Sequence, residues 1–539
     1  MSGVVRLALA QARRDRVLLP VWILGIALLG FVTATAVATE FGEEAERAAI
    51  IGVATVNPAF LFLRGLPDGA GIGAVVFFQG YAFTAVLAGL MSTFLVIRHT
   101  RADEELGREE LLGSVPLPRA ATLAATLLLG AAANLVLAVC VAAGFAAAGL
   151  PGAGAVTAGA AVGAVGVFFA AVAAAVAQVM PSGRSANGAA AGLVGAAYLL
   201  RGIGDAFGTP SADLTQVTSG WASLFSPIGW GQRSRPFSTA DPVPLLVMAG
   251  AAAVLACAVL VVRSRRDLGG SLLPERTGRE RAGAGGTSFL GLAWRLQLPT
   301  LIGWCIGAAV LGALAGGLGP VVTDAVAGNE SLKELIGRLV PGSRAEIIDV
   351  FTTALLGIAG VFAAAAGVQA VLRLRAEEVE GRAELLLAVP MSRARWLSAN
   401  LVLAAASVAV VAAVAGTTAT IGLALSGTGS PPEALLIGAA LAHVPAATVF
   451  LSATAIVFAA APRLSIPLGW GLLAAGLILG QFGELLRLPL WIQDLSPFRH
   501  SAAMPVEPFD PAAALALTAV ALLGAGIASY LIRRRDLTG

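Results

Sequence analysis

Lysine is almost missing from this chain: of 35 basic residues in 539, only Lys333 is a lysine. No Gly-Lys pair exists, so the phosphate loop Gly-x-x-x-x-Gly-Lys-Ser/Thr cannot be built and the chain has no nucleotide site of that kind. Histidine is just as scarce. His99, His443 and His500 make no His-Glu-x-x-His and no cluster with cysteine, which argues against a metal centre, and nothing resembles a nucleophile elbow. The three cysteines, Cys140, Cys257 and Cys305, all fall inside apolar runs and read as small hydrophobes in helix packing rather than disulfide partners. Charge is short too: 12% of residues are charged against 57% hydrophobic, with a mean hydropathy of +0.85, too little polar surface to cover a soluble globule of this length. Arginine-rich segments lie against apolar runs, where the bias of basic residues toward the cytoplasmic side of a membrane accounts for them without a nucleic-acid partner.

What is abundant is apolar runs of about 20 residues or more, each long enough to cross roughly 30 Å of hydrocarbon as a helix. They fall near 17–38, 74–97, 120–149, 153–180, 186–207 and 244–262, then near 298–319, 349–372, 397–425, 433–461, 464–486 and 512–532. The first ends in an Ala-x-Ala that mimics a signal-peptidase site, but its length and the spans that follow make it a retained helix. The expectation is an all-α polytopic membrane protein of twelve transmembrane helices. Pairs of glycines four apart, at Gly159 and Gly163, Gly188 and Gly192, Gly303 and Gly307, Gly312 and Gly316, and Gly476 and Gly480, are candidates for close helix approach.

The spans are organised as a duplication. Arg101-Ala-Asp-Glu-Glu-Leu-Gly-Arg-Glu-Glu-Leu-Leu-Gly-Ser-Val-Pro-Leu-Pro-Arg119 returns as Arg375-Ala-Glu-Glu-Val-Glu-Gly-Arg-Ala-Glu-Leu-Leu-Leu-Ala-Val-Pro-Met-Ser-Arg393, with 11 of 19 positions identical at a constant offset of 274. Trp22-Ile-Leu-Gly25 matches Trp304-Cys-Ile-Gly307, Trp221 precedes Ser226-Pro227 as Trp491 precedes Ser496-Pro497, and Arg265-Arg-Asp-Leu268 closes the first half as Arg534-Arg-Asp-Leu537 closes the second. Two tandem six-span repeats are therefore expected, 1–268 and 288–539, joined by a linker over 269–287. Placing the N-terminus inside puts 25 Arg in inside segments against 9 Arg or Lys outside, so both termini, both charged loops and the linker are expected in the cytoplasm.

Each repeated loop reads as a short polar helix, with Glu104 four residues before Arg108 and Glu378 four before Arg382, the favourable order for a helical ion pair. A self-stabilised solvated helix explains the charges. It does not explain why Gly107 and Gly381, which weaken a helix by about 1 kcal/mol relative to alanine, recur in place with two leucines following at Leu111 and Leu385. A docking surface does.

The pattern Arg-x-Glu-Glu-x-x-Gly-Arg-x-Glu-Leu-Leu after the second span resembles the membrane subunits of ABC exporters of the class that includes actinomycete polyketide-antibiotic exporters. The resemblance implies a permease subunit in the cytoplasmic membrane of a bacterium that moves hydrophobic or amphiphilic compounds outward. It also implies ATP and Mg on a separate ATPase, two copies of which would dock here, with no cofactor on this chain. The implied docking residues are Arg101, Glu104, Gly107, Arg108 and Glu110, and Arg375, Glu378, Gly381, Arg382 and Glu384. The second copy departs at Val379 and Glu380, where the first has Glu105 and Leu106, so the two surfaces need not be equivalent. By the same resemblance residues 4–16, with Val5, Ala8, Leu9 and Ala12 on one side and Arg6 and Arg13 on another, look like an interfacial helix, with 288–297 as its counterpart.

Ionisable residues within spans are costly and usually functional. Arg201 and Asp205 lie one turn apart near the end of the fifth span, with Gln481 and Glu484 in the corresponding region of the eleventh, and these four are candidates for the outward part of a cargo path. Location at the outer interface, in contact with water, is the alternative. Gln79, Asn134 and Gln178 read as helix-to-helix hydrogen bonds. Two other functional classes remain open: a major-facilitator-type secondary transporter, whose Gly-x-x-x-Asp-Arg-x-Gly-Arg loop is missing here, and a non-transporting membrane scaffold.

Overall fold

The computed structural model describes residues 3–55, 58–113, 118–267, 270, 272–273, 288–317, 344–388, 390–425, 433–481 and 489–535. The chain divides into two compact units, Met1–Gly278 and Arg279–Gly539.

The first unit begins with the short helix α1 (Gly3–Arg14), which keeps Arg6, Arg13 and Arg14 exposed and buries Ala8. Then come α2 (Leu18–Glu40), α3 (Glu44–Thr55), α4 (Pro58–Arg64) and α5 (Ile72–Arg98). The charged loop forms α6 (Arg101–Glu105) and α7 (Arg108–Gly113), and is followed by α8 (Ala121–Ala147), α9 (Gly152–Val179), α10 (Gly183–Ala206), α11 (Pro227–Gln232) and α12 (Val243–Arg265). Between α10 and α11 a two-residue antiparallel pair, Thr209–Pro210 with Val217–Thr218, and a 3₁₀ turn at Trp221–Phe225 tie down the connection. The middle of the unit is α5 against α9, both buried along most of their length, with α2, α8, α10 and α12 packed around them.

In the second unit α13 (Phe289–Gly317), α14 (Arg344–Val379) and α15 (Arg382–Leu387) lead to α16 (Arg393–Leu425). After these come α17 (Glu433–Leu441), α18 (Val444–Ala460), α19 (Ser465–Gln481), the single turn α20 (Leu490–Gln493) and α21 (Pro511–Arg534). Here α14 packs against α13, α16, α18 and α19. The expected counterpart of the N-terminal interfacial helix is not a separate element. In the first unit the chain breaks between α1 and α2, where Asp15 is buried against Arg98 and His99; at the matching place α13 runs on unbroken through Pro299.

Among the described residues eleven helices are long and apolar enough to cross a membrane. The helix α10, 24 residues and so about 36 Å long, has the length but not the hydropathy, because it carries Arg184, Asn187, Arg201 and Asp205. The protein is thus an α-helical polytopic membrane protein.

Glycine sets the closest helix approaches, since lipid supplies no hydrophobic drive for helices to associate. A Cβ at Gly163 would lie 2.8 Å from the backbone oxygen of Asn134. One at Gly312 would collide with the carbonyl oxygen of Ala415, and one at Gly316 with that of Ala419, across the α13–α16 crossing. By contrast, a Cβ at Gly188, Gly192 or Gly303 meets nothing within 4 Å, so those three positions mark no close approach within a unit. Gly316→Val should therefore cost about 1–3 kcal/mol or more, because a backbone carbonyl cannot swing aside as a side chain can. Gly303→Val should leave thermal unfolding in detergent unchanged. Equal melting of the two variants would show that the crossing is not tight.

Candidate functional site: a buried acidic anchor under each charged loop

The charged loop of the first unit is not one polar helix. Gly107, at φ +68°, separates α6 from α7, a left-handed conformation that favours glycine. Gly381, at φ +71°, does the same between α14 and α15. That kink explains why a helix-weakening residue sits at the same place in both loops.

It also separates the expected ion-pair partners, which is a correction to the sequence reading. Glu104 does not pair with Arg108. Its carboxylate is buried under the loop, 2.6 Å from Arg101 and 2.7 Å from Arg263, with Arg266 in contact as well. Arg108 turns outward to Asp103 at 2.8 Å, and Asp103 also receives Arg14 of α1 at 2.7 Å. Glu109 is buried against Arg263 and accepts from the Thr122 hydroxyl at 3.0 Å. Burial pushes the Glu109 carboxyl upward, with Arg263 pulling it down and Glu104 pushing it up.

The same anchor recurs in the second unit with fewer partners. Glu378 is buried between Arg375, at 3.2 Å, and Arg535, and does not reach Arg382, which pairs with Glu380 at 2.5 Å. Arg535 stands where Arg266 stands in the first unit. The positions of Glu109 and Arg263, however, are taken by Ala383 and Ile532, both buried in one apolar cluster. An ion pair in one copy is thus a pair of hydrophobes in the other.

Of the ten candidate docking residues, Gly107 and Gly381 form the kinks, and the other eight fall into two sets. Arg101 and Glu104 in one loop, with Arg375 and Glu378 in the other, point inward and hold the loop to the bundle; Arg101 also donates to the Pro181 oxygen at 3.1 and 2.6 Å. Arg108 and Glu110, and Arg382 and Glu384, are exposed. Beside them stand Leu111 and Leu385, 75% and 76% exposed, at matching positions of the repeat. A further contact was illegible in the sequence: Asp15 bonds His99 at 2.6 Å with both side chains buried, tying the end of α1 to the start of the loop.

At the opposite end of the first unit Arg201 and Asp205 are brought together at 3.1 Å, both fully buried. Arg201 also donates to the carbonyls of Leu61 at 3.3 Å and Phe62 at 2.5 Å, and Gln232 donates to both Asp205 oxygens at 2.9 and 2.8 Å. The guanidinium lies 4.7 Å from the Tyr198 ring. The pair is not at a water-facing surface of the unit: it fastens α4 and α11 to α10. Gln481 is the last residue of α19, and Glu484 lies outside the described residues. Asn134 does bridge helices, donating to Ser92 at 2.8 Å, and Gln79 bonds Arg64 of α4. The Gln178 amide stays local, donating to the Ala174 carbonyl one turn back at 3.3 Å.

Two units of long apolar helices, each with a charged loop held at one end by a buried carboxylate, define a multipass membrane protein in which the same charged element is anchored twice. The family model described as "Multidrug efflux system permease Rv1217c, C-terminal domain" matches residues 287–533. The "Multidrug efflux system permease protein Rv1217c" of Mycobacterium tuberculosis (strain ATCC 25618 / H37Rv) is 33% identical over 541 residues, covering 99% of this chain and 95% of that relative. The chain belongs to this family of multidrug efflux permeases.

Proposed function

We propose that the chain is the membrane-spanning subunit of an ATP-driven exporter of the ABC type, with both six-span halves in one polypeptide. On this reading α10 is the fifth of twelve spans. Residues 1–268 and 288–539 are tandem repeats, 269–287 is a cytoplasmic linker, both termini are cytoplasmic, and the membrane is the cytoplasmic membrane of a bacterium. The repeat reading is supported by a bond found in each unit: Ser226 donates to the Ala197 carbonyl and Ser496 to that of Gly476, both at 2.7 Å, at matching places in the two sequences. The cargo is hydrophobic or amphiphilic, in keeping with the efflux named for the relative.

The observation that carries the ATP-coupled reading is the pair of exposed Arg-x-Glu-Leu faces, Arg108, Glu110 and Leu111 and Arg382, Glu384 and Leu385, each mounted on a buried anchor. Large exposed leucines at the polar end of a membrane protein call for a protein partner, and two such faces, one in each repeat, call for two copies of it. ATP and Mg belong on that partner, since this chain has no Gly-Lys pair. Arg201 and Asp205, with Gln481 and Glu484, are proposed to help form the outward part of the cargo path.

The test is the complex with its ATPase. Native mass measurement should give two ATPase subunits per chain, and Leu111→Asp or Leu385→Asp should each weaken assembly by about 2 kcal/mol, the scale of an interface anchor, with a matching loss of coupled ATP hydrolysis. A single ATPase per chain, binding that survives both substitutions, or export that persists without any ATPase would overturn the proposal. Persistent export would favour a secondary transporter.

A further inference from the structure

A cleft of about 530 Å³ runs along α5 in the first unit, between α2 and α10, lined by Leu29, Thr33, Phe83, Val86, Leu87 and Tyr198 among others. Its polar groups are nearly all spent. The Thr33 hydroxyl donates to the Leu29 carbonyl at 2.8 Å and the Tyr198 hydroxyl to that of Leu63 at 2.7 Å. Leu29 and Phe83 are exposed, so the cleft opens at the surface of α2 and α5, both long and apolar enough to cross a membrane.

One end is different. Gln79 lines the cleft, and its amide oxygen accepts from Arg64 at the end of α4. Among the described residues no carboxylate lies within ion-pair reach of Arg64; its neighbours are this amide and the Phe60 ring at 5.8 Å. A half-buried cation without a counter-charge is unfavourable, and an incoming anion would relieve it. The depth fits as well. Gln79 is seven residues into α5, about 10 Å from its start, and Leu87 lies about 12 Å further along, at 1.5 Å per residue. The cation therefore sits near the level of the headgroups and the apolar cleft extends from it toward the middle of the bilayer.

We propose that this cleft holds an acyl chain of an anionic membrane lipid, with Arg64 contacting the headgroup phosphate. Zwitterionic lipids carry the same chains but compensate their own phosphate, so Arg64 would select for net negative charge. The inference rests on the membrane placement of the helices and not on ATP coupling. Lipid retention is read on the permease alone, so its failure is distinguishable from failure of the exporter reading.

The experiment is native mass spectrometry of the detergent-purified permease exposed to phosphatidylglycerol and phosphatidylcholine. The wild type should retain phosphatidylglycerol about tenfold better, a difference of about 1.4 kcal/mol. Arg64→Ala should lose that preference and Arg64→Lys should keep it. Gly195 lines the cleft and a Cβ there meets nothing within 4 Å, so Gly195→Trp adds bulk at a position the backbone leaves open. That variant should melt like the wild type yet lose retention of both lipids. Equal retention of the two lipids by the wild type overturns the proposal, as does a preference that survives Arg64→Ala. Gly195→Trp blocking export while lipid retention is unchanged also overturns it and assigns the cleft to cargo.

Discussion

Arg263→Ile alone should destabilise the permease by about 3–5 kcal/mol, and adding Glu109→Ala should recover most of that loss, because breaking a buried ion pair strands a charge whereas replacing both partners by hydrophobes is often neutral or better. The second unit already carries the double replacement, with Ala383 and Ile532 buried at the corresponding positions. In the single variant Glu109 stays buried with only the Thr122 hydroxyl to oppose its charge. Glu104 is not stranded, since Arg101 and Arg266 remain, just as Arg375 and Arg535 suffice for Glu378. Glu109→Ala alone should cost less, because Arg263 keeps Glu104 at 2.7 Å. Thermal unfolding of the four proteins in detergent gives the cycle. If the double variant is as unstable as the sum of the singles, the two positions are not a coupled pair and the comparison between units fails. By contrast, exchanging the charges of Glu104 and Arg108 should rescue nothing, since the two side chains have no contact to restore.

Asp205→Ala should cost a comparable amount, about 3–5 kcal/mol, because Arg201 would be left fully buried without its carboxylate. The carbonyls of Leu61 and Phe62 still accept from it, which places the effect toward the lower end. Gln232 would lose both of its acceptor oxygens, so α11 should loosen together with α4. Melting temperature should fall while ATPase binding at the other end of the bundle is retained. Neutralising Asp205 and Glu484 together should impair export or change cargo preference. Unchanged melting of Asp205→Ala would contradict the buried pair, and normal export by the double variant would remove both residues from the cargo path.

Much of the architecture was legible because hydropathy is a local property. A run of about 20 apolar residues can satisfy its backbone in hydrocarbon only as a helix, so the spans could be located from composition, and α10 is the helix whose polar residues leave it short of the rest. The repeated loop was legible as a repeat, and Gly107 and Gly381 were legible as anomalies. Their left-handed φ was not, and it is this that split each loop in two. The roles within the loop were also hidden. Sequence spacing paired Glu104 with Arg108 and Glu378 with Arg382, whereas the carboxylates turn to Arg266 and Arg535, about 160 residues away.

From the amino-acid order alone follow the helical membrane class, the duplicated landmarks and the lack of a phosphate loop. These depend only on which residue types stand near one another along the chain. The partner of each buried charge, the division of the charged loops into an inward anchor and an outward face, and the burial of Arg201 with Asp205 were decided by tertiary structure. A charge taken out of water must be met by whatever the fold brings within about 3 Å of it. That neighbour is set by how α5, α10 and α12 pack, which no local spacing records.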